Sequence, residues 1–392
     1  PDEYIKVDGS RVQPRNGHLS FAFAEPMEEV NYLDQARLVA VDHVAGAHIY
    51  PNERFVATPP FPEFKIITAR HPHPPAGAWD DEGHDVLPAL LTHDHRYVSG
   101  FKLLHFAGFA QPHSLVLDLG DWDATRPLYL LLDGFTEYFT ANSMYAAYQA
   151  NISVTAPYIE AQNLDGGWSR VIGDMGFPAG LPRTISVDLT GKLKAGTRKI
   201  RIVTNLQIYW DQALIDNSAP EQRVVTHEIP LATARLHFHG YPRGDESRFP
   251  GDLNYSYENV SLTGPYARHA GAYTRYGNVL PLLKAADDKF VVFGSGEEVI
   301  LDFDSSTLPP LPSGWKRDYL FYANGFVKDM DFYAADAFSV DPLPFHAMSP
   351  YPNPPRLQYP LNRSSLDYLL EYNTRYQSGN GVSEYRYRYS QR

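Results

Sequence analysis

The chain has no cysteine in its 392 residues, which removes disulfide scaffolds, thiolate zinc sites, iron–sulfur clusters and cysteine nucleophiles together. It also has no basic block. Its 34 Lys plus Arg stand against 46 Asp plus Glu, a formal net charge of −12, so a phosphate backbone would repel it and nucleic acid is not an expected partner. No apolar run reaches the roughly 20 residues a membrane helix needs. Gly-x-Ser-x-Gly, His-Glu-x-x-His, the Walker loop and Gly-x-Gly-x-x-Gly are all missing, which weakens the case for an enzyme. The chain opens on Pro1 rather than methionine, and the expectation is a processed or excised piece of a longer precursor.

What is present is a strand-forming chain. It is 43% apolar, with 27 Tyr, 21 Phe and 32 Pro, enough to build real cores. Short branched-apolar runs bounded by turn residues recur at 37–41, 115–119, 128–132, 184–189 and 199–203. Runs at 290–293 and 299–303, separated by Gly294-Ser295-Gly296-Glu297-Glu298, read as a hairpin. Helical signals are few: 364–372, opening on a capping serine, and 142–150, which reads equally as a loop. The expected fold class is all-β, with two or three packed sandwich or jelly-roll-like units, long proline-rich loops and a few short helices. At roughly 150 residues per domain, the chain divides into an N-terminal unit (1–100), a jelly-roll-like sandwich (101–230) and a C-terminal unit (231–392). The last carries a proline- and aromatic-rich run, 342–360, and a tyrosine-rich terminal strand.

Two kinds of residue suggest metal sites. His71/His73, His93/His95 and His237/His239 are His-x-His pairs, and residues two apart on a strand share a face, so a pair can offer two imidazoles to one ion. Only the stretch Leu236-His237-Phe238-His239 reads as a strand, so His237 and His239 are the preferred pair. Acidic turns at Asp80, Asp81 and Asp85, and at Asp118, Asp121 and Asp123, carry the oxygen ligands calcium prefers. They lack the EF-hand spacing, and a solvated turn accounts for them as well.

Tyrosine supplies the candidate binding surface. Tyr255 and Tyr257 alternate, as do Tyr385, Tyr387 and Tyr389 in a Tyr-Arg-Tyr-Arg-Tyr run. A ring with a polar tip stacks on sugars or on protein at low entropy cost, and an alternating terminal strand can add to a neighbouring sheet.

Several blocks resemble a known family. They are 28–55 (EEVNYLDQARLVAVDHVAGAHIYPNERF), 168–189 (WSRVIGDMGFPAGLPRTISVDL), 201–212 (RIVTNLQIYWDQ), 272–283 (AYTRYGNVLPLL), 287–304 and 308–348. In that order they resemble the C-terminal region of bacterial exported proteins with FG-GAP repeats and an ASPIC/UnbV segment, some with tetratricopeptide repeats. The resemblance implies an exported protein, extracellular, at the cell surface or periplasmic. It carries over no catalytic residue, and the calcium sites of the upstream propeller repeats are not in this chain. The chain departs from the family pattern at Lys328-Asp329-Met330-Asp331-Phe332, which lacks the usual glycine, arguing against a calcium loop there. The expected function is a non-enzymatic adhesion or scaffold module that self-associates or binds another surface protein. Glycan binding by the middle sandwich is the alternative, and a glycosidase with two carboxylates is a third reading.

Overall fold

A computed structural model describes residues 2–56, 59–246, 253–264, 266–349 and 351–378. Tyr385, Tyr387 and Tyr389 lie outside these residues. The fold is all-β, with two short α-helices among the described residues.

The middle of the chain forms one sandwich. Its five-stranded sheet runs Trp168–Ile172, Tyr158–Gln162, Lys199–Leu206, Phe109–Asp118, Gly77–Trp79. The facing sheet runs Arg183–Asp188, Tyr129–Thr136, Ile208–Asp216. Strand alternation decides which side chains enter the core: in Lys199–Leu206, Ile200 and Ile202 are buried while Lys199 and Arg201 face outward. They meet Leu130, Leu132, Ile185 and Val187 of the facing sheet, and each such side chain contributes about 1.5–3 kcal/mol by leaving water.

The second sandwich is assembled from both ends of the chain. Glu29–Val44 pairs along its length with Trp315–Asp329, so segments before residue 101 and after residue 230 share one sheet. Asp2–Val7 extends that sheet on one side and Val224–Ile229 on the other, while Val291–Gly294 also pairs with Glu29–Val44. The facing sheet runs Gly277–Asn278, Leu231–Phe238, Glu297–Asp304, His18–Ala24. Leu19, Leu236, Val299, Leu301 and Phe303 from this sheet pack on Leu38, Phe293 and Phe321 from the other.

The run 290–303 is not a hairpin. Val291–Gly294 belongs to one sheet and Glu297–Asp304 to the other, so the Ser295-Gly296 turn carries the chain across the sandwich. Both strands need apolar partners, and each finds them in a sheet of its own. The second helix, Arg363–Glu371, is capped by Asn362 rather than a serine: its side chain accepts from the Ser365 amide at 3.0 Å while Ser365 bonds back to the Asn362 amide. The stretch that reads equally as loop or helix is helical over Ala141–Gln149, capped by Thr140. No described helix is long and apolar enough to cross a membrane.

Candidate metal centre

The strand Leu231–Phe238 lies antiparallel to Glu297–Asp304, with His237 opposite Glu298 and Phe238 opposite Glu297. Residues directly opposite in such a pair point to the same face. Leu236 and Val299 therefore enter the core, and His237 and Glu298 project from the other side. His239, two residues beyond His237, returns to that side. The Glu298 carboxylate is nearly buried, and its Oε1 lies 3.1 Å from His237 Nε2 and 3.2 Å from His239 Nδ1. One ligand atom from each of the three lies within 4.8 Å of the others.

Glu297 projects to the opposite side of the same strand and has a different setting. Its Oε1 accepts from Arg268 (2.9 Å), Arg375 (2.7 Å) and Tyr276 (2.7 Å), and its Oε2 from Arg375 (2.9 Å) and the Gly294 amide (3.0 Å). Both oxygens are saturated. Among the described residues, the Glu298 carboxylate pairs with the two histidines alone.

A two-stranded hairpin, Tyr241–Glu246 with Leu253–Ser261, leaves the sheet just after His239. Its return strand brings the Tyr257 carbonyl to 2.8 Å from His239 Nε2. A carbonyl oxygen only accepts, so Nε2 carries the hydrogen and donates it. Nδ1 then turns toward Glu298 either a lone pair or the second hydrogen of an imidazolium. A lone pair facing a carboxylate at 3.2 Å repels it, so a cation belongs between them: a proton or a metal ion. An imidazole oriented by a carbonyl on its outer nitrogen is the usual support of a metal-bound histidine. Burial pushes His237 down from its ordinary value, with Arg235 and His239 adding to this against the Glu298 charge. It is thus held toward the neutral form that binds metal.

The donor set is two imidazoles and one carboxylate, suited to a divalent transition metal such as zinc, iron or nickel. Calcium, which takes six to eight oxygen ligands, does not fit it. Three protein ligands leave further coordination positions open, and both imidazoles are partly exposed.

Tyr255 and Tyr257 stand on the return strand with ring centroids 6.3 Å apart. Burial raises both phenols, Tyr255 to about 12. A carboxyl cluster adjoins them. Burial lifts Glu25 to about 7 and Glu29 well above the carboxylate range, with Asp329 adding to both. Tyr138 of the middle sandwich donates to Glu29 at 3.4 Å.

The fold thus gathers four of the residues singled out from the sequence, His237, His239, Tyr255 and Tyr257, around one strand end and its hairpin. The acidic turns are arranged differently. Asp80 accepts from the Glu82 and His84 amides, Asp85 from the Leu87 amide, and Asp123 from the Thr125 amide and hydroxyl. Asp118 and Asp121 pair with Arg198. None of these, nor Asp81, belongs to a group of three converging ligand side chains among the described residues. Glu298 was missed in sequence reasoning, because the strand opposite His237 lies some 60 residues on; its only local signal is a Glu-Glu pair at the head of an apolar strand. His93, named as one of the His-x-His pairs, converges with Asp133 and Asp211, which sequence reasoning did not place beside it, and the group Asp34, Asp288 and His346 was missed altogether.

Comparison of the chain with protein-family models, with curated proteins and with solved structures returned no match.

Proposed function

We propose that the chain is a non-enzymatic binding and assembly module, an adhesion or scaffold unit of an exported or cell-surface bacterial protein of the kind its sequence blocks resemble. A divalent transition metal at His237, His239 and Glu298 organises its contact face. One observation carries this reading: the 2.8 Å hydrogen bond from His239 Nε2 to the Tyr257 carbonyl. It ties the outer nitrogen of a ligand to the aromatic hairpin, so loading the inner nitrogen with metal sets where the hairpin sits. The open coordination positions accept a carboxylate or hydroxyl from the partner, and the tyrosine rings supply contact area beside it. The partner is a second copy of the chain or another surface protein.

Equilibrium dialysis against Zn²⁺ with metal analysis, followed by sedimentation velocity, tests this. His239→Ala should retain one zinc equivalent fewer than the wild type, and only the wild type should associate in a zinc-dependent way. Undiminished zinc in His239→Ala rejects the metal; a strictly monomeric chain at high concentration, with and without zinc, rejects the assembly. A glycan-binding role is favoured by one observation: Tyr257 is 43% exposed on an outer hairpin. Glycan-array binding that disappears in Tyr257→Ala supports that role, and a blank array removes it.

A further inference from the structure

A second cation site lies where the proline-rich run meets the strand Glu29–Val44. Along that strand the pairing with Trp315–Asp329 slips: Gln35 faces Asn324, Leu33 faces Gly325, and Asp34 faces no residue. Asp34 is therefore the extra residue of a bulge, a device that re-aims a side chain. Gly325 makes it feasible, since a Cβ there would lie 2.1 Å from the Tyr32 carbonyl oxygen. The re-aimed Asp34 carboxylate is fully buried. Its Oδ2 accepts from the Asp288 amide at 3.0 Å, while its Oδ1 is buried with no hydrogen-bond partner among the described residues.

Facing it is His346, from the proline-rich run. Its Nδ1 is 2.6 Å from Asp288 Oδ1 and 3.5 Å from Asp34 Oδ2. Its Nε2 is 2.7 Å from Asn324 Oδ1. The orientation of that amide follows from its other end: the Asn324 nitrogen bonds the Asp2 carboxylate, which can only accept. The oxygen must then face His346, and Nε2 must donate to it. This leaves Nδ1 turned toward two carboxylates, with a buried oxygen beside them still lacking a partner. A proton on Nδ1 would still leave Asp34 Oδ1 unmatched. A divalent ion would cancel both carboxylate charges and give that oxygen a partner.

We infer that Asp34, Asp288 and His346 bind a divalent first-row transition metal of the Mn²⁺ or Zn²⁺ kind, which suits two carboxylates and one imidazole. The ion pins the proline-rich run to the sheet, because His346 belongs to that run and Asp34 to the sheet's central strand. Its role is structural, since a run this long needs fixed points to hold one conformation. The site is separate from His237, His239 and Glu298 and stands whether or not that centre binds metal.

The test uses the full chain, stripped with EDTA and reloaded with Zn²⁺ or with Mn²⁺. Metal analysis should find one equivalent fewer in Asp34→Asn, a near-isosteric change, than in the wild type. His239→Ala should lose a different equivalent, and the double variant both. Trypsin supplies a second readout, because Arg356 lies within the proline-rich run. At metal 100 times its Kd, cleavage after Arg356 should slow by about 100-fold where it proceeds through opening of the run. The slowing should persist in His239→Ala and vanish in Asp34→Asn. Should Asp34→Asn fail to fold by circular dichroism, His346→Gln carries the same test. Unchanged metal content in the variant, or cleavage at Arg356 that ignores metal in the wild type, overturns the inference.

Discussion

Each sandwich contains one aspartate at a bulge, and the two are completed differently. In the middle sandwich the pairing of Ile208–Asp216 with Tyr129–Thr136 skips Asp211, next to Trp210, which faces Gly134, where a Cβ would lie 2.2 Å from the Tyr209 carbonyl oxygen. In the second sandwich the skipped residue is Asp34, next to Leu33, which faces Gly325. Both carboxylates are fully buried, and both look onto a histidine and a second aspartate. Asp211 is closed by the protein itself: Oδ1 accepts from the Asp94 amide at 3.3 Å and Oδ2 from the His95 amide at 3.1 Å, with His93 Nδ1, which bonds Asp133 Oδ1 at 2.8 Å, lying 3.1 Å from Oδ2. Asp34 keeps one oxygen unmatched. The same backbone device yields a lock where the loop supplies donors, and a ligand position where it does not. Glu297 and Glu298 repeat the contrast on one strand.

The largest effect should separate that last pair. Glu297→Ala strands the guanidinium groups of Arg268 and Arg375 and should cost about 3–5 kcal/mol in denaturant unfolding. Glu298→Ala in metal-free protein should cost no more than about 1 kcal/mol, because its partners are imidazoles that water reaches. Equal costs would break the distinction. Next, Asp211→Ala orphans two loop amides and should cost about 2–3 kcal/mol. Asp34→Ala in metal-free protein should cost under about 1 kcal/mol, since it also removes a buried oxygen without a partner.

Acid should sharpen the picture of the second sandwich. His269 is buried there, and desolvation pushes it down to about 4, with Lys328 nearby adding to this. The unfolded chain takes up that proton near pH 6.5, well before the fold can. Stability contributed by the neutral ring is thus complete above pH 6.5 and is lost as pH falls toward 4. At about 1.36 kcal/mol per pH unit the loss amounts to about 3 kcal/mol, and it is read as the difference between wild type and His269→Gln over that range, since the raised Glu25 and Glu29 carboxyls act with the opposite sign in both proteins. A wild-type and a His269→Gln profile that run parallel from pH 6.5 to 4 would contradict the burial of a neutral ring. The smallest effect belongs to Tyr257→Ala. It should change stability by no more than about 0.5 kcal/mol and leave zinc stoichiometry intact, because the metal centre uses the backbone carbonyl and not the ring. Loss of zinc in that variant would blur the division between metal support and contact surface.

The strands were legible because a period of two leaves its mark within a few residues, as in Lys199–Leu206. His237 and His239 were legible for the same reason. What lay beyond reach was pairing. Nothing local says that Gly294-Ser295-Gly296 crosses between sheets, or that Glu298 stands opposite His237. Asp34 reads as one more residue of a continuous strand, and its bulge exists only through Gly325, nearly 300 residues away. Local crowding of carboxylates also misled: Asp80 and Asp123 cluster with their neighbours in sequence, yet their oxygens go to amides of their own turns.

The most direct test of the account is a crystal of the chain soaked in Zn²⁺, with anomalous diffraction recorded at the zinc edge. A peak about 2.0–2.2 Å from His237 Nε2, His239 Nδ1 and a Glu298 oxygen, with His239 Nε2 still bonded to the Tyr257 carbonyl, is the predicted result. No peak between those three side chains at saturating zinc, or zinc held through His239 Nε2 with the Tyr257 bond broken, would contradict it.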